Sequence, residues 1–426
     1  MDIKLKYGTG YQHATVSSFE ILGEVIPKRI ATLRSPREML TRGLEKSMGV
    51  YPFSRLFRRA RGLVLVLSAE LQDYSGRFAL PHLLDVLAEL DVPEEEIRIV
   101  LAGCGQQAAD PADILDERVL RRYQVFIHDY FDMRSVEYAG ETRKGIPVFI
   151  NKHLFDAEQI IILGSIFPHF LLGYTGGPRM VVPGCAGIET LSRILSFSID
   201  TKEKRLRYEY LNGYLEANPI QEALKQAYRC LPASFGIYPV FNDQNQVISV
   251  YAGHPLQAHV AGTKAVECLF KVSVAQQADV TLVSTGGAPL DDHFHAVHQA
   301  LFHAATITRP GGVIILLAAC KNASRSEEIV HWLEHLDNRD AAERPHAQTT
   351  IEAVIAYSIR NITDQYTVIM VSELEDGIVR NIGFEPAGSL EEAIDLARQK
   401  MTTGLQMYIL PEGFKTVPLC QHPGHS

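Results

Sequence analysis

The feature that most constrains how this chain can fold is a series of continuous apolar runs, each followed by a loop that contains glycine or other small residues. These runs lie at residues 62–68, 97–102, 160–163 and 278–283. A strand that is apolar on both faces is typical of a parallel sheet covered by helices. Helical patterns alternate with the runs, and this order predicts an α/β fold with two α/β domains, mainly parallel sheets and a ligand cleft between the domains.

The length of 426 residues exceeds what a single hydrophobic core usually needs. A hairpin pattern over residues 235–251 closes the first unit, and the apolar run that follows the next helical pattern begins the second. We therefore predict an N-terminal domain, a connecting helix and a C-terminal domain at residues 1–253, 254–274 and 275–426.

Composition and charge argue against several functional classes. The chain is 46% hydrophobic and 21% charged, which are ordinary globular values. Its net charge of −9 is spread without a stripe of Lys and Arg, so no nucleic-acid partner is expected. The most apolar long stretch, 160–174, is too short to span a bilayer, and no secretory signal or Cys-x-x-Cys pair is visible. We expect a soluble, cytoplasmic protein without a membrane partner.

The loop at residues 167–184 reads Phe-Pro-His-Phe-Leu-Leu-Gly-Tyr-Thr-Gly-Gly-Pro-Arg-Met-Val-Val-Pro-Gly and follows the apolar run at 160–163. Ligands of α/β proteins usually bind where such strands end. Gly176 and Gly177 can bring backbone N–H groups close to an anion, and Arg179 adds a permanent charge. The alternative is a turn between two core strands.

This loop resembles a segment of the nickel-pincer lactate racemases and their relatives, which reads His-Phe-Phe-x-Gly-Phe-x-Gly-Gly-x-Lys-x-x-x-Pro-Gly. A second loop, Ser-Thr-Gly-Gly-Ala-Pro-Leu-Asp at 284–291, is similar to the second-domain loop of that family. The first segment matches the family pattern at His169, Phe170, Gly173, Gly176, Gly177, Pro183 and Gly184.

The resemblance implies an isomerase, a racemase or epimerase that acts on a small anionic 2-hydroxy acid. In the family, hydride moves from the substrate to a nickel-pincer nucleotide while histidines take the hydroxyl proton. At the matched positions, the resemblance implies that His169 is a catalytic base. It also implies cofactor-binding roles for Arg77, Gly176, Gly177, Arg179, Gly286 and Gly287.

The chain departs from the family at four positions. The second base aligns with Gln106, and a second-domain lysine aligns with Gln299, so the resemblance leaves both as substrate-binding candidates. The lysine that anchors the cofactor aligns with Arg179, which cannot act as an ordinary amine nucleophile. The nickel-binding histidine falls near Leu195. Altered cofactor attachment follows, and the nickel-pincer nucleotide rests on the resemblance alone.

A dense group of histidines follows the second Gly-Gly loop: His293, His295, His298 and His303. His295 and His298 stand three residues apart on a predicted helix, so one metal ion could bind both side chains. The alternative is a polar helix surface, with Asp291 and Asp292 either supporting a metal or capping the helix. Two other functions therefore stay open: a ligand-binding paralogue without catalysis, and a metal-dependent enzyme of another class. We predict one cleft lined by Arg77, His169, Arg179 and the helix at 293–298.

Overall fold

The computed structural model describes ten segments of the chain. They are residues 1–32, 34–70, 73–103, 110–200, 205–207, 218–242, 244–321, 327–336, 349–401 and 405–420. Within them lie two six-stranded sheets and five two-stranded ones. The predicted α/β fold with mainly parallel sheets is confirmed.

The first sheet is parallel apart from one antiparallel strand at its edge. Its strands are apolar because helices cover both faces, and every side chain from Leu63 to Leu67 is almost fully buried. In spatial order the strands are Val247–Gly253, Phe235–Phe241, Gln159–Leu163, Leu63–Ser68, Ile97–Ala102 and Gln124–Ile127.

The second sheet is parallel throughout. In spatial order its strands are Glu385–Ala387, Thr367–Val371, Thr308–Leu317, Ala278–Ser284, Gln406–Leu410 and Glu20–Glu24. The two-stranded sheets pair Asp2–Tyr7 with Gly10–Thr15, Val136–Glu141 with Pro147–Asn151, Pro168–His169 with Gly173–Tyr174, Ile199–Asp200 with Arg205–Leu206, and Lys271–Val274 with Val417–Cys420.

The helices are mostly short and several have side-chain caps. The first begins with a capping box, in which Ser35 and Glu38 satisfy each other's backbone N–H groups. The α-helices are Pro36–Glu45, Phe53–Phe57, Ser75–Phe78, Leu80–Glu89, Pro111–Ile114, Glu117–Arg122, Lys152–Phe155, Ile188–Leu195, Pro219–Tyr228, Pro255–Phe270, Phe294–Ile307, Glu327–His335, Ile351–Thr363, Asp376–Asn381 and Leu390–Lys400. In the described segments, no helix is both long and apolar enough to cross a membrane.

The N-terminal residues lie elsewhere than the sequence indicated. Residues 1–253 were assigned to one domain, whereas Glu20–Glu24 pairs with Gln406–Leu410 and extends the second sheet. Ile3, Leu5 and Val16 belong to a core cluster that also contains strand residues of that sheet. Local patterning predicts a strand but not its partner, and this partner lies almost four hundred residues away.

The connecting segment, predicted as a helix over residues 254–274, differs from the prediction at its end. The helix ends at Phe270, and residues 271–274 form a strand that pairs with Val417–Cys420. The loop after Gln159–Leu163 packs against helix Phe294–Ile307, since the ring of Phe170 contacts the rings of His298 and Phe302, with centroids 4.5 and 6.0 Å apart. This contact joins the loop of the first sheet to a helix that follows a strand of the second sheet.

Candidate functional site

A narrow cleft lies at the carboxyl ends of three neighbouring strands of the first sheet, the usual ligand position in an open α/β sheet. It encloses about 60 Å³, far below the roughly 300 Å³ at which pockets for drug-sized ligands begin. The cleft therefore suits a small molecule. Its polar lining includes Ser68, Glu70, Asp73, His169, Thr175 and Arg179.

His169 lies on this cleft in a short antiparallel turn, where Pro168–His169 pairs with Gly173–Tyr174. Its Nδ1 accepts hydrogen bonds from the backbone N–H groups of Leu171 and Leu172, both at 3.1 Å. The hydrogen of the neutral ring is therefore assigned to Nε2. Burial and then the charges of Arg179 and His295 lower the pKa of His169 to about 3.

Gln299 contacts the backbone on both sides of His169. Its Nε2 donates to the carbonyl oxygen of Pro168 at 2.7 Å, and its Oε1 accepts from the N–H of Phe170 at 3.0 Å. The side chain is 3% exposed. The residue that the resemblance left as a substrate-binding candidate thus has both polar atoms of its amide bonded to protein backbone.

Arg179 is the cation of the cleft. One terminal nitrogen, Nη2, donates to Oε1 of Gln221 at 2.8 Å. The other, Nη1, is buried and has no hydrogen-bond partner among the described residues. Burial lowers the pKa of Arg179 to about 9, so the guanidinium still carries its charge at neutral pH. A buried cation with an unsatisfied N–H is suited to bind an anion.

Gly176 and Gly177 have packing reasons to be glycine. Both have positive φ angles, +70° and +65°. A Cβ at Gly176 would lie 2.6 Å from the carbonyl oxygen of Ser165, and one at Gly177 would lie 2.5 Å from the ring of His259. Gly176 also lines the cleft. Close packing explains both residues, and their predicted contact with a cofactor stays a prediction.

Arg77 and the second Gly-Gly loop lie away from this cleft. Arg77 is exposed and donates to the carbonyl oxygen of Asp113. Gly286 and Gly287 line a separate cavity of about 270 Å³ together with Lys6 and Lys415. The structure thus brings His169 and Arg179 together, as expected, and leaves Arg77, Gly286 and Gly287 elsewhere. Gln106 lies outside the described residues.

The predicted metal pair, His295 and His298, has separate protein partners. His298 is fully buried, and its Nε2 lies 2.8 Å from Oγ of Ser358. His295 is partly exposed, with Nε2 3.6 Å from Oε1 of Glu352. In the part of the chain that the structure describes, no group of three or more His, Cys, Asp or Glu could hold a metal ion. A metal at this pair stays a prediction without such a group to support it.

His295, in the second domain, contributes to the electrostatics of the site. Partial burial opposes protonation of this ring, but the carboxylate of Glu352, 3.6 Å from Nε2, followed by the charges of Glu70 and Glu328, raises the pKa of His295. Burial and the charge of Glu352 in turn raise the pKa of Glu328 to about 7. Glu70 of the first domain and Glu352 of the second therefore act on one imidazole.

The two aspartates before this helix do not cap it. The helix begins at Phe294 after His293, without a side-chain cap. The buried carboxylate of Asp291 instead accepts from the N–H groups of Gly8 and Ala319 at 2.6 and 3.2 Å. Asp292 accepts from the N–H of Lys321 at 3.0 Å. The capping role considered for them is wrong, because both carboxylates turn toward other loops.

Sequence reasoning missed several residues that shape the cleft. Asp73 accepts from the N–H and Oγ of Ser165 at 2.9 and 2.6 Å and from the N–H of Ser75 at 2.9 Å, which fixes the start of the His169 loop. Glu70 follows a buried strand, and that position was a usable signal. Gln221 had none, since it belongs to a helix 42 residues beyond Arg179.

Comparisons with known proteins cover most of the chain. A family model described as the lactate racemase N-terminal domain matches residues 7–205, and one described as the lactate racemase C-terminal domain matches residues 273–417. A lactate racemase of Thermoanaerobacterium thermosaccharolyticum is 25% identical over 393 residues, 90% of each chain. A lactate racemase of Lactiplantibacillus plantarum is 25% identical over 392 residues, 90% of this chain and 91% of that one.

Two solved structures share the fold. The lactate racemase apoprotein of T. thermosaccharolyticum superimposes with a TM-score of 0.85 at 23% identity, covering 98% of this chain and 100% of that one. A protein of Thermotoga maritima superimposes with a TM-score of 0.65 at 16% identity, covering 90% of this chain and 98% of that one.

Proposed function

The chain belongs to the lactate racemase family, and on that premise we propose that it is a racemase or epimerase of a small 2-hydroxy acid. The observation that carries the proposal is the pair formed by Arg179 and His169 on one small cleft. The guanidinium, with its unsatisfied Nη1, binds an anionic group, either a carboxylate or a phosphate. The imidazole contacts the hydroxyl oxygen of the acid.

A nickel-pincer nucleotide in the family's usual attachment does not fit the residues present. Arg179 cannot form the covalent link of a lysine, and Leu195, at 3% exposure, is a hydrocarbon side chain in the core. The cleft is also smaller than a nucleotide. We infer that any nucleotide cofactor is held without a covalent bond.

The residues of the cleft account for binding and for the proton side of the reaction. Arg179 orients the acid through its charge, and His169, on the same cleft, contacts its hydroxyl group. Glu70, a carboxylate on the same wall, is the group we assign to exchange the hydroxyl proton.

A second candidate function is a ligand-binding paralogue that has lost catalysis. It is favoured by the chemistry of the residues that the resemblance places at the cofactor contacts, since the family's anchoring lysine aligns with Arg179 and its nickel-binding histidine falls near Leu195. This candidate keeps the anion site at Arg179. It predicts binding of a 2-hydroxy acid without turnover.

The test uses protein from cells that also make the nickel-pincer nucleotide. Single enantiomers of short 2-hydroxy acids, labelled with deuterium at C2, are incubated with the protein and separated by chiral chromatography. We expect interconversion with retention of the label by the native protein and its loss in Arg179→Met. The matched control, Arg193→Met, removes an arginine that is 46% exposed and pairs with Glu189, and it should behave as the native protein does.

The other outcomes are equally informative. Binding by calorimetry without conversion would replace the first function with the second. If the protein neither binds nor converts a 2-hydroxy acid, both functions are refuted. Intact-mass spectrometry should find no covalent nucleotide adduct, and an adduct at any residue would refute the proposed mode of attachment. Nickel content, measured on the same sample, tells whether metal accompanies the nucleotide.

A further inference from the structure

We propose that Gln299 is a positioning residue, which bridges the peptide groups on both sides of His169 and thereby holds that ring as a fixed hydrogen-bond donor toward an oxygen atom of the bound acid. The inference rests on the proposed function for the identity of the ligand. The bridge itself is a property of the ligand-free protein.

The first step of the argument is the geometry of the bridge. Gln299 lies on helix Phe294–Ile307 of the second domain, whereas Pro168 and Phe170 belong to the loop after a strand of the first. Its amide donates at 2.7 Å to the carbonyl before His169 and accepts at 3.0 Å from the N–H after it. A planar amide that satisfies a donor and an acceptor flanking one residue restricts the backbone of that residue. The two peptide groups that flank His169 then have little freedom to rotate.

The second step concerns the ring. The next two residues of the same loop, Leu171 and Leu172, both donate to Nδ1 of His169. Nδ1 cannot carry a hydrogen while it accepts these bonds, so the neutral ring carries its hydrogen on Nε2. In that tautomer Nε2 has no lone pair and can only donate. The ring can therefore polarise a hydroxyl or keto oxygen, but it is not set to remove a proton.

The third step is the charge around the ring. From its own loop His169 faces Arg179, and from the second domain it faces His295. Both disfavour a second proton on the imidazole, and burial acts in the same direction. The carboxylates of Glu70 and Asp73 lie on the same cleft. The net effect is a lowered pKa, so the ring stays neutral across the physiological range.

These steps give Gln299 a different task from the one the resemblance implied. Gln299 is not among the residues that line the cleft, and both polar atoms of its amide are bonded to backbone. Because the bridge crosses from one domain to the other, separating the domains would break it and release the His169 loop. Domain closure and the orientation of the donor are thereby coupled.

The experiment uses full-length, ligand-free protein labelled with ¹⁵N-histidine, and the His169 signals are assigned by their loss in His169→Asn. In the native protein we expect the neutral tautomer with hydrogen on Nε2, unchanged from pH 5 to 8. In Gln299→Met, which keeps the shape of the side chain, the ring should become a mixture of tautomers. Hydrogen exchange at the Phe170 amide should accelerate about tenfold. The control Gln276→Ala removes an exposed glutamine of the same domain and should change neither signal.

Two results would overturn the inference. One is unchanged exchange at Phe170 in Gln299→Met together with weaker binding of a 2-hydroxy acid, because that pattern belongs to a ligand contact. The other is a native His169 that carries its hydrogen on Nδ1 or titrates between pH 5 and 8, and this measurement needs no variant to fold. Absence of racemase activity would affect neither readout, so failure of the proposed function and failure of the bridge are distinguishable.

Discussion

Replacing Arg179 by Met should stabilise the ligand-free protein while it removes the response to 2-hydroxy acids. The fold disfavours the charged guanidinium, since burial lowers the pKa of Arg179 to about 9. When folding lowers the pKa of a base, the folded protein is destabilised at every pH at which the base is charged in both the folded and the unfolded state. That cost is fully present at pH 7 and diminishes only as the pH rises through about 9.

The size of the effect follows from two opposing contributions. The fall in the pKa of Arg179 to about 9 corresponds to an upper limit of roughly 5 kcal/mol, at about 1.4 kcal/mol per pH unit. The variant also loses the 2.8 Å hydrogen bond to Gln221 and leaves that acceptor unpaired, which costs about 2 to 3 kcal/mol. We expect a net gain of about 2 kcal/mol, or a rise in Tm of about 2 to 5 °C.

The assay is thermal and denaturant-induced unfolding at pH 7, with and without saturating 2-hydroxy acid. Native protein should gain stability from the acid and Arg179→Met should not, because binding only to the folded state raises its stability. The control Arg193→Met loses one surface ion pair and should change stability by less than about 1 kcal/mol. An Arg179→Met protein that is less stable than this control, or that still responds to the acid, would refute the reasoning.

Three further predictions concern packing and titration. Gly177→Ala should lower the free energy of unfolding in urea by about 2 to 4 kcal/mol, because the φ angle of Gly177 is +65° and the new Cβ would lie 2.5 Å from the ring of His259. A loss under 1 kcal/mol would contradict the packing. The free energy of unfolding should be highest above pH 6.5 and should fall as the pH drops toward 3. The reason is that burial lowers the pKa of His298 and His303 to about 3 and 4, so both rings take up protons on unfolding. Unfolding free energies that stay constant from pH 7 to 5 would refute this. Asp73→Asn should lower stability by about 2 kcal/mol and speed amide exchange in the loop after residue 163, because its three donors lose a charged acceptor; unchanged exchange would show that the loop is fixed by other contacts.

The sequence by itself determined the layers of the fold and the place of the cleft. Strands such as Leu63–Ser68 are apolar at almost every position, and this pattern is typical of a sheet buried on both faces. Residues that bind ligands in such sheets lie at the carboxyl ends of the strands, and on this basis His169 and Arg179 were predicted to line one cleft. These inferences need only local periodicity and the chemistry of a short loop.

Other features depended on tertiary contacts. The strand Glu20–Glu24 joins a sheet whose other strands begin more than 250 residues later. Arg77 stands at a plausible spacing from its strand, yet its guanidinium turns to the carbonyl of Asp113. Gln299 had the position of a ligand contact and became a bridge across the domains. Local pattern encodes burial and secondary structure, whereas hydrogen-bond partners, tautomers and pKa values depend on which distant segments the fold brings within a few ångströms.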